Sequence, residues 1–247
     1  MKENLEQIRK YWDEQQPLFQ KIYRDGFAKF AQSLPNLKEA FELKDRALRC
    51  MDEGTPGGIH LAGSGILLSE DEAAHVLGNA RVEGIYSHTE CSAAALFARN
   101  NNLDESQAET LGEEAARKIA AKIAVPYLGH INADQLKRPL SFHIARIAYY
   151  DGSGRFDYSR VSNFPPGFTI SRKYLNPDYA KKEAEIAISI ALGVQGFGPL
   201  ITKESPFVLI AIAENEHELA TLKQELEDVA KGFAEKVKVE AFLAPAS

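Results

Sequence analysis

Cys50, Asp52, His88 and Cys91 are the residues of this 247-residue chain whose types and spacing could do chemistry together. His88 and Cys91 lie three apart at the mouth of an expected helix, so imidazole and thiol can converge on one point. Cys50 ends a neighbouring expected strand and can complete a Cys-His-Cys set. Two thiolates and an imidazole suit Zn²⁺ and leave its fourth position to water or a carboxylate. An open fourth position marks a catalytic zinc, whose bound water loses a proton near neutral pH. Asp52, two residues past Cys50, falls on the same side of an extended chain, where it can bind the ion or hydrogen-bond the hydroxide. The competing reading is an inert pair, since cysteine is among the most buried residue types. Both cysteines fall at the ends of expected strands, where open α/β sheets gather their ligands, and this favours the metal.

The elements that must position these residues follow from patterning. Ala47–Met51, Ile59–Ala62 and Val82–Tyr86 read as short strands, the first followed by the turn-rich stretch 52–58. Ser69 with Glu72 makes a capping box for a helix over 70–79. Further helices are expected over 92–99 and 104–123, the latter ending before Pro126. Residues 3–33 have helical periodicity, which Pro17 should split in two because proline cannot donate to the preceding turn. Alternation over Ser141–Tyr150, a turn at Asp151-Gly152-Ser153-Gly154 and a return over Arg155–Val161 read as a β-hairpin. The last third is helix 177–192, strand 207–213, helix 215–234 and strand 237–242. The fold class expected is α/β: a central, mostly parallel sheet with flanking helices, an N-terminal helical arm, a late hairpin and a C-terminal αβαβ extension. The organisation expected is an arm over 1–40, a zinc-binding core over 41–162, and an extension over 163–247 packed on the same domain. No internal repeat is apparent.

Composition narrows the partners. The net charge is −6, from 29 Lys+Arg against 35 Asp+Glu, and no basic run exceeds Lys181-Lys182, which disfavours nucleic acid. No apolar run reaches the roughly 18 residues of a membrane span, and the charged N-terminus has no signal-peptide core. A cytoplasmic location is the default, and two cysteines in a reducing compartment argue against a structural disulfide. His60 and His143 fall on expected strands and read as satisfied core or surface histidines, although His60 could shuttle protons if its strand borders the metal. Gly63-Ser64-Gly65 fits no phosphate-loop fingerprint, and Ser64 and Ser87 lack readable partners for a serine hydrolase.

Cys50-Met51-Asp52 followed by Ser87-His88-Thr89-Glu90-Cys91-Ser92-Ala93-Ala94 resembles the C-x-D-x-R and H-T-x-C-G-A segments of the β-class carbonic anhydrases. Ala62-Gly63-Ser64-Gly65 is similar to that family's turn after its second strand. The segment Ile144–Arg155 is similar to its late hairpin, and residues 3–33 to its helical dimer arm. The likeness spans residues 1–162. It implies Zn²⁺ held by Cys50, His88 and Cys91, with water or Asp52 in the fourth place. It also implies attack of zinc hydroxide on CO2 to give bicarbonate, in a homodimer. Gln32 would stand for a substrate-contacting glutamine, and Gly63 and Tyr86 would border the substrate pocket, with Phe27 and Phe30 as further apolar candidates.

The sequence also departs from the family. The arginine two residues past the aspartate is Gly54 here, and the glycine after the second cysteine is Ser92. That arginine holds the aspartate off the metal, so another cation must replace it, with Arg46, Arg49 and Arg81 as candidates and Glu53 as a possible partner for it. The chain is therefore expected to be a divergent member, or a relative such as the limiting-CO2-inducible type. A zinc hydrolase of COS or CS2 and a non-catalytic, zinc-stabilised protein are the alternatives.

Overall fold

The computed structural model describes residues 2–246. Its framework is two four-stranded parallel sheets with helices against them, which is the α/β class expected. Strands β1 (Ala47–Arg49), β2 (Ile59–His60), β3 (Gly84–His88) and β4 (Tyr127–Ile131) form the first, in the order β2-β1-β3-β4. Strands β5 (Ile147–Asp151), β6 (Phe168–Ile170), β7 (Phe207–Ala213) and β8 (Val237–Leu243) form the second, in the order β6-β5-β7-β8. The two halves thus share one topology, a repeat that is not apparent in the sequence. They meet where β2 and β6 face one another. Ser171 N–H donates to the His60 carbonyl (3.2 Å), His60 N–H to Ser171 Oγ (2.9 Å), and Thr169 N–H to the Met51 carbonyl (2.9 Å).

Parallel strands covered on both faces read as continuous apolar runs, and β7, Phe-Val-Leu-Ile-Ala-Ile-Ala, is buried throughout. Successive side chains of a strand point to opposite faces. Ala148, Tyr150, Leu209 and Ala211 accordingly enter the larger core, shared with the first sheet, α6 (Pro177–Leu192) and α7 (Glu216–Ala230). Ile147, Tyr149, Val208 and Ile210 enter a second core with Phe19, Ile22, Phe27 and Phe30 from α1 (Lys2–Asp25) and α2 (Phe27–Gln32). The remaining helices, α3 (Glu70–Ala80), α4 (Ser92–Asn100) and α5 (Ala108–Lys122), belong to the first half. Ser69 and Glu72 form the expected capping box at the start of α3.

Two expectations are corrected. Helix α1 runs unbroken through Pro17, and the break falls at Gly26, which takes φ +83°. Tertiary contacts outweigh the proline: the guanidinium of Arg146, wholly buried, lies 3.4 Å from the Trp12 ring centroid and 4.1 Å from that of Phe19. Its Nη1 also donates to Gln16 Oε1 (3.0 Å) and the Trp12 carbonyl (3.4 Å), on the turn that Pro17 leaves short of a donor. The second correction is the late hairpin. Both edges of β5 are taken by parallel neighbours, β6 and β7, so no return strand can pair there. Asp151 accepts from Ser153 N–H (2.8 Å) and Phe156 N–H (3.2 Å), which turns the chain toward a 3₁₀ turn at Tyr158–Arg160. Strands β4 and β6 were not anticipated.

The buried Arg146 packs against aromatic faces and neutral oxygens, so its shape should matter more than its charge. Arg146→Ala should cost about 3 kcal/mol in urea unfolding, in line with large-to-small core changes. Arg146→Met should cost roughly 1 kcal/mol, because apolar replacement of a buried charge is often near neutral. Equal losses in the two variants would contradict this account of the α1 anchor.

Candidate metal centre

Strand β1 is flanked by β2 and β3, and the chain leaves it first toward one side and later toward the other. Open α/β sheets bind ligands at such a switch point, beyond the carboxyl ends of the strands. Cys50 directly follows β1, His88 is the last residue of β3, and Cys91 precedes α4. The sequence-expected ligands therefore come together: all three are buried, and their ligand atoms lie within 4.8 Å of one another. The two sulfurs are 3.9 Å apart. Tetrahedral zinc with Zn–S of about 2.3 Å puts two thiolates at nearly that separation.

The chemistry of the donors fits a metal as well as their spacing. His88 Nδ1 lies 2.8 Å from the Thr89 carbonyl, so Nδ1 carries the proton and Nε2 is left with its lone pair. That Nε2 is buried and has no hydrogen-bond partner among the described residues. A backbone carbonyl fixing the far nitrogen is the usual support of a metal-binding histidine. Gly63 N–H donates to Cys50 Sγ at 3.2 Å. Gly63 takes φ +56°, and a Cβ there would meet Ile66 Cγ2 at 2.5 Å and Cys91 Sγ at 3.6 Å. The same turn is held from outside by Glu183, whose Oε1 accepts from Ala62 N–H at 2.8 Å.

Burial, then the contact with Cys91, pushes the Cys50 thiol up. Cys91 is drawn down, first by its hydrogen bond with Cys50 and, against burial, by the N–H groups of Ala94 and Ala93. Burial opposes a charge on His88, but Cys50 and Asp52 outweigh it and raise the imidazole to about 9, so an ion binding at Nε2 would displace a proton there. The group could hold a metal ion.

Asp52 lies beside this group in a two-point clamp. Arg138 Nε donates to its Oδ1 (2.8 Å) and Nη2 to its Oδ2 (2.9 Å), with both residues buried. Gly54 N–H adds a third bond to the carboxylate, at Oδ1 (2.7 Å). Burial alone would raise the carboxyl, yet His143 and Arg138 hold it well below the usual carboxylate range. Arg138, 86 residues away in sequence, is therefore the cation that Gly54 lacks. Gly54 is the residue that admits it, since a Cβ there would lie 2.8 Å from Arg138 Cγ. The three arginines weighed from sequence are placed elsewhere. Arg49 pairs with Asp45 (2.7 Å), Arg46 donates to Tyr174 Oη (2.8 Å), and Arg81 ends α3 with φ +50°.

Glu53 does not meet Arg138 side by side but turns to His143, whose Nδ1 is 2.9 Å from Glu53 Oε2. His143 Nε2 is 3.0 Å from Ser92 Oγ. Arg138 and His143 both come from the segment between β4 and β5, which closes over the carboxyl ends of β1 and β3. Cys91, Ser92, Arg138, Phe142 and His143 open into one cavity of about 370 Å³. His60 is buried with Nδ1 2.7 Å from the Cys50 carbonyl, and burial lowers it to about 4.

The remaining pocket candidates separate. Gly63 donates to Cys50 Sγ, and a side chain there would reach Cys91 Sγ. Tyr86 is half-buried under the Arg49 guanidinium, 4.9 Å from its ring centroid. Gln32 is exposed at the end of α2, and Phe27 and Phe30 belong to the second core with Tyr149 and Phe242, on the face of the second sheet away from the cysteines.

Arg138→Ala strands a buried carboxylate and should cost about 3–5 kcal/mol in urea unfolding at pH 7. Because Asp52 is depressed in the folded state, its contribution is complete above the unfolded value near 3.9 and fades as pH falls below it toward the folded value. Asp52→Asn should flatten the stability profile in that acid window; an unchanged slope would contradict the clamp. Compared with known proteins, the chain matches no family model, no curated protein and no solved structure.

Proposed function

We propose that the chain is a zinc-dependent carbonic anhydrase, hydrating CO2 reversibly to bicarbonate. The observation that carries this reading is the buried Cys50, His88 and Cys91 donor set beside an ionised Asp52 clamped by Arg138. It agrees with the resemblance of both motifs to the β class and supplies the aspartate–arginine pair that Gly54 had placed in doubt. Zinc bound there would supply a water that is nucleophilic at neutral pH and a positive charge for the product.

The protein's own groups have separable tasks. Arg138 keeps Asp52 ionised and fixes the plane of its carboxylate. Oδ1 is engaged twice, by Arg138 and Gly54, whereas Oδ2 accepts once and keeps a lone pair for a water of the site. Asp52 thereby orients that water as a hydrogen-bond acceptor, and the clamp keeps it out of the ligand set. Phe142, Ala95 and Ala108 give the adjoining cavity, otherwise lined by polar and charged groups, a small apolar surface for an uncharged substrate. No helix among the described residues is long and apolar enough to cross a membrane, and the substrate proposed is a small molecule.

Cys50→Ser, His88→Ala and Cys91→Ser should each leave the purified protein without stoichiometric zinc, as measured by elemental analysis. Asp52→Asn should retain zinc and lose roughly 10²-fold in kcat/KM in stopped-flow CO2 hydration, the scale of a positioned proton-handling group. Full activity in that variant would remove Asp52 from the mechanism. Zinc that resists chelation, with no hydration between pH 7 and 9, would replace the enzyme by a zinc-stabilised structural protein. Turnover of COS or CS2 in place of CO2 would keep the site and change its substrate.

A further inference from the structure

We infer that the cleft between α4 and α6 is a second binding site, which takes a small organic ammonium ion with an apolar body and pairs its head with Glu183. The cleft adjoins the metal-site cavity, but it has its own walls and its own buried polar group, and it does not depend on the hydratase reading.

Two helix faces meet the cleft from opposite sides. On α4, Ala95, Leu96 and Arg99 share one face through spacings of three and four residues. On α6, Glu183, Ile186 and Ile190 do the same. Leu96, Ile186 and Ile190 are only half-buried, so the two helices leave apolar surface open between them. The enclosed space is about 780 Å³, and its wall is mainly apolar. Small-molecule sites have this size and this character, with a few polar groups that fix orientation.

Glu183 is the polar group that interrupts this wall. It is 6% exposed, and its Oε1 accepts from Ala62 N–H at 2.8 Å, which fixes the carboxyl in place. Its Oε2 is buried and has no hydrogen-bond partner among the described residues. The cations that line the cleft are engaged elsewhere. Arg99 makes a two-point contact with Glu105, at 2.9 Å in each bond, and Lys182 Nζ stands 5.4 Å from the Tyr179 ring centroid. Glu185 is the other charged group of the lining, so with Glu183 ionised there would be three carboxylates against two cations. Burial instead pushes the Glu183 carboxyl up to about 8, because a buried charge is costly unless it is paired. An ammonium head supplies the missing partner: it carries three donors on a compact cation, and it takes the place of the carboxyl proton, which leaves to solvent. The charge of the cleft is unchanged by that exchange, and the ligand's apolar body covers Leu96, Ile186 and Ile190. An anion would have no such partner, and a neutral head would leave the carboxylate uncompensated.

The test is an NMR titration of the full ¹⁵N-labelled chain at pH 8 with benzylamine, beside benzyl alcohol and benzoate, which share its ring and differ in the head. Benzylamine should shift the amide signals of α4, α6 and Ala62. It should bind at least about 10-fold more tightly than either analogue, the scale of a hydrogen bond to a charged group. Glu183→Gln keeps an acceptor for Ala62 N–H, and it should weaken benzylamine roughly 10-fold while leaving benzyl alcohol unchanged. Ile186→Trp, which fills the cleft, should abolish the binding of both. Equal affinity for benzylamine and benzyl alcohol in wild type would overturn the pairing with Glu183. Shifts confined to the metal-site cavity, or no binding of benzylamine, would overturn the site. None of these readings involves CO2 hydration, so the second site and the hydratase fail or hold separately.

Discussion

Arg138 and Asp52 form a buried ion pair, and such a pair is worth its desolvation only when geometry and further hydrogen bonds are favourable. Here they are: the contact is bidentate, at 2.8 and 2.9 Å, and Gly54 N–H and the Glu90 carbonyl take up remaining capacity on the two partners. The pair does three jobs through one geometry. It holds the segment between β4 and β5 down over the strand ends. It keeps an anion ionised beside the sulfurs. It also engages that anion away from Cys50, His88 and Cys91, so that an ion held by these three would keep an open position. Removing one partner would disturb all three together.

The rest of the fold can be understood as support for that arrangement. The first sheet brings Cys50 and His88 to neighbouring strand ends at its switch point. The second sheet, with the same strand order, meets the first across β2 and β6 and fixes the backbone on either side of the site through Met51, His60 and Ser171. His60 joins this backbone frame to the Cys50 carbonyl as a neutral ring. Glu53 and Tyr158 tie the loop after β1 to the second half, since Tyr158 Oη donates to the Glu53 carbonyl at 2.7 Å. A site whose ligands lie in one half is thereby enclosed by the other.

The three residues that could hold a metal were legible in the sequence because they are few, chemically distinctive and close to strand ends that apolar runs mark out. Strand β7 was legible to the residue, as an apolar run between Pro206 and Glu214. Arg138 was not: it lies 86 residues from its partner, in a segment without periodicity, and the only trace of it is a glycine where a side chain was expected. His143 read as a core or surface histidine on a strand; it is buried in a loop, and its two side-chain hydrogen bonds depend on Glu53 and Ser92, distant in the chain. Strand β6 is three residues long behind two prolines and a glycine, and β4 is an edge strand interrupted by Gly129. The hairpin failed because a glycine turn after an alternating strand does not reveal that both edges of that strand are already occupied.

The central claim is that Cys50, His88 and Cys91 bind one zinc ion with an open fourth position. X-ray absorption at the zinc edge of the purified protein tests it most directly. The expected spectrum has two sulfur neighbours at about 2.3 Å and two lighter ones at about 2.0–2.1 Å, one an imidazole nitrogen. A first shell of oxygen and nitrogen alone, or protein that takes up no zinc, would contradict it.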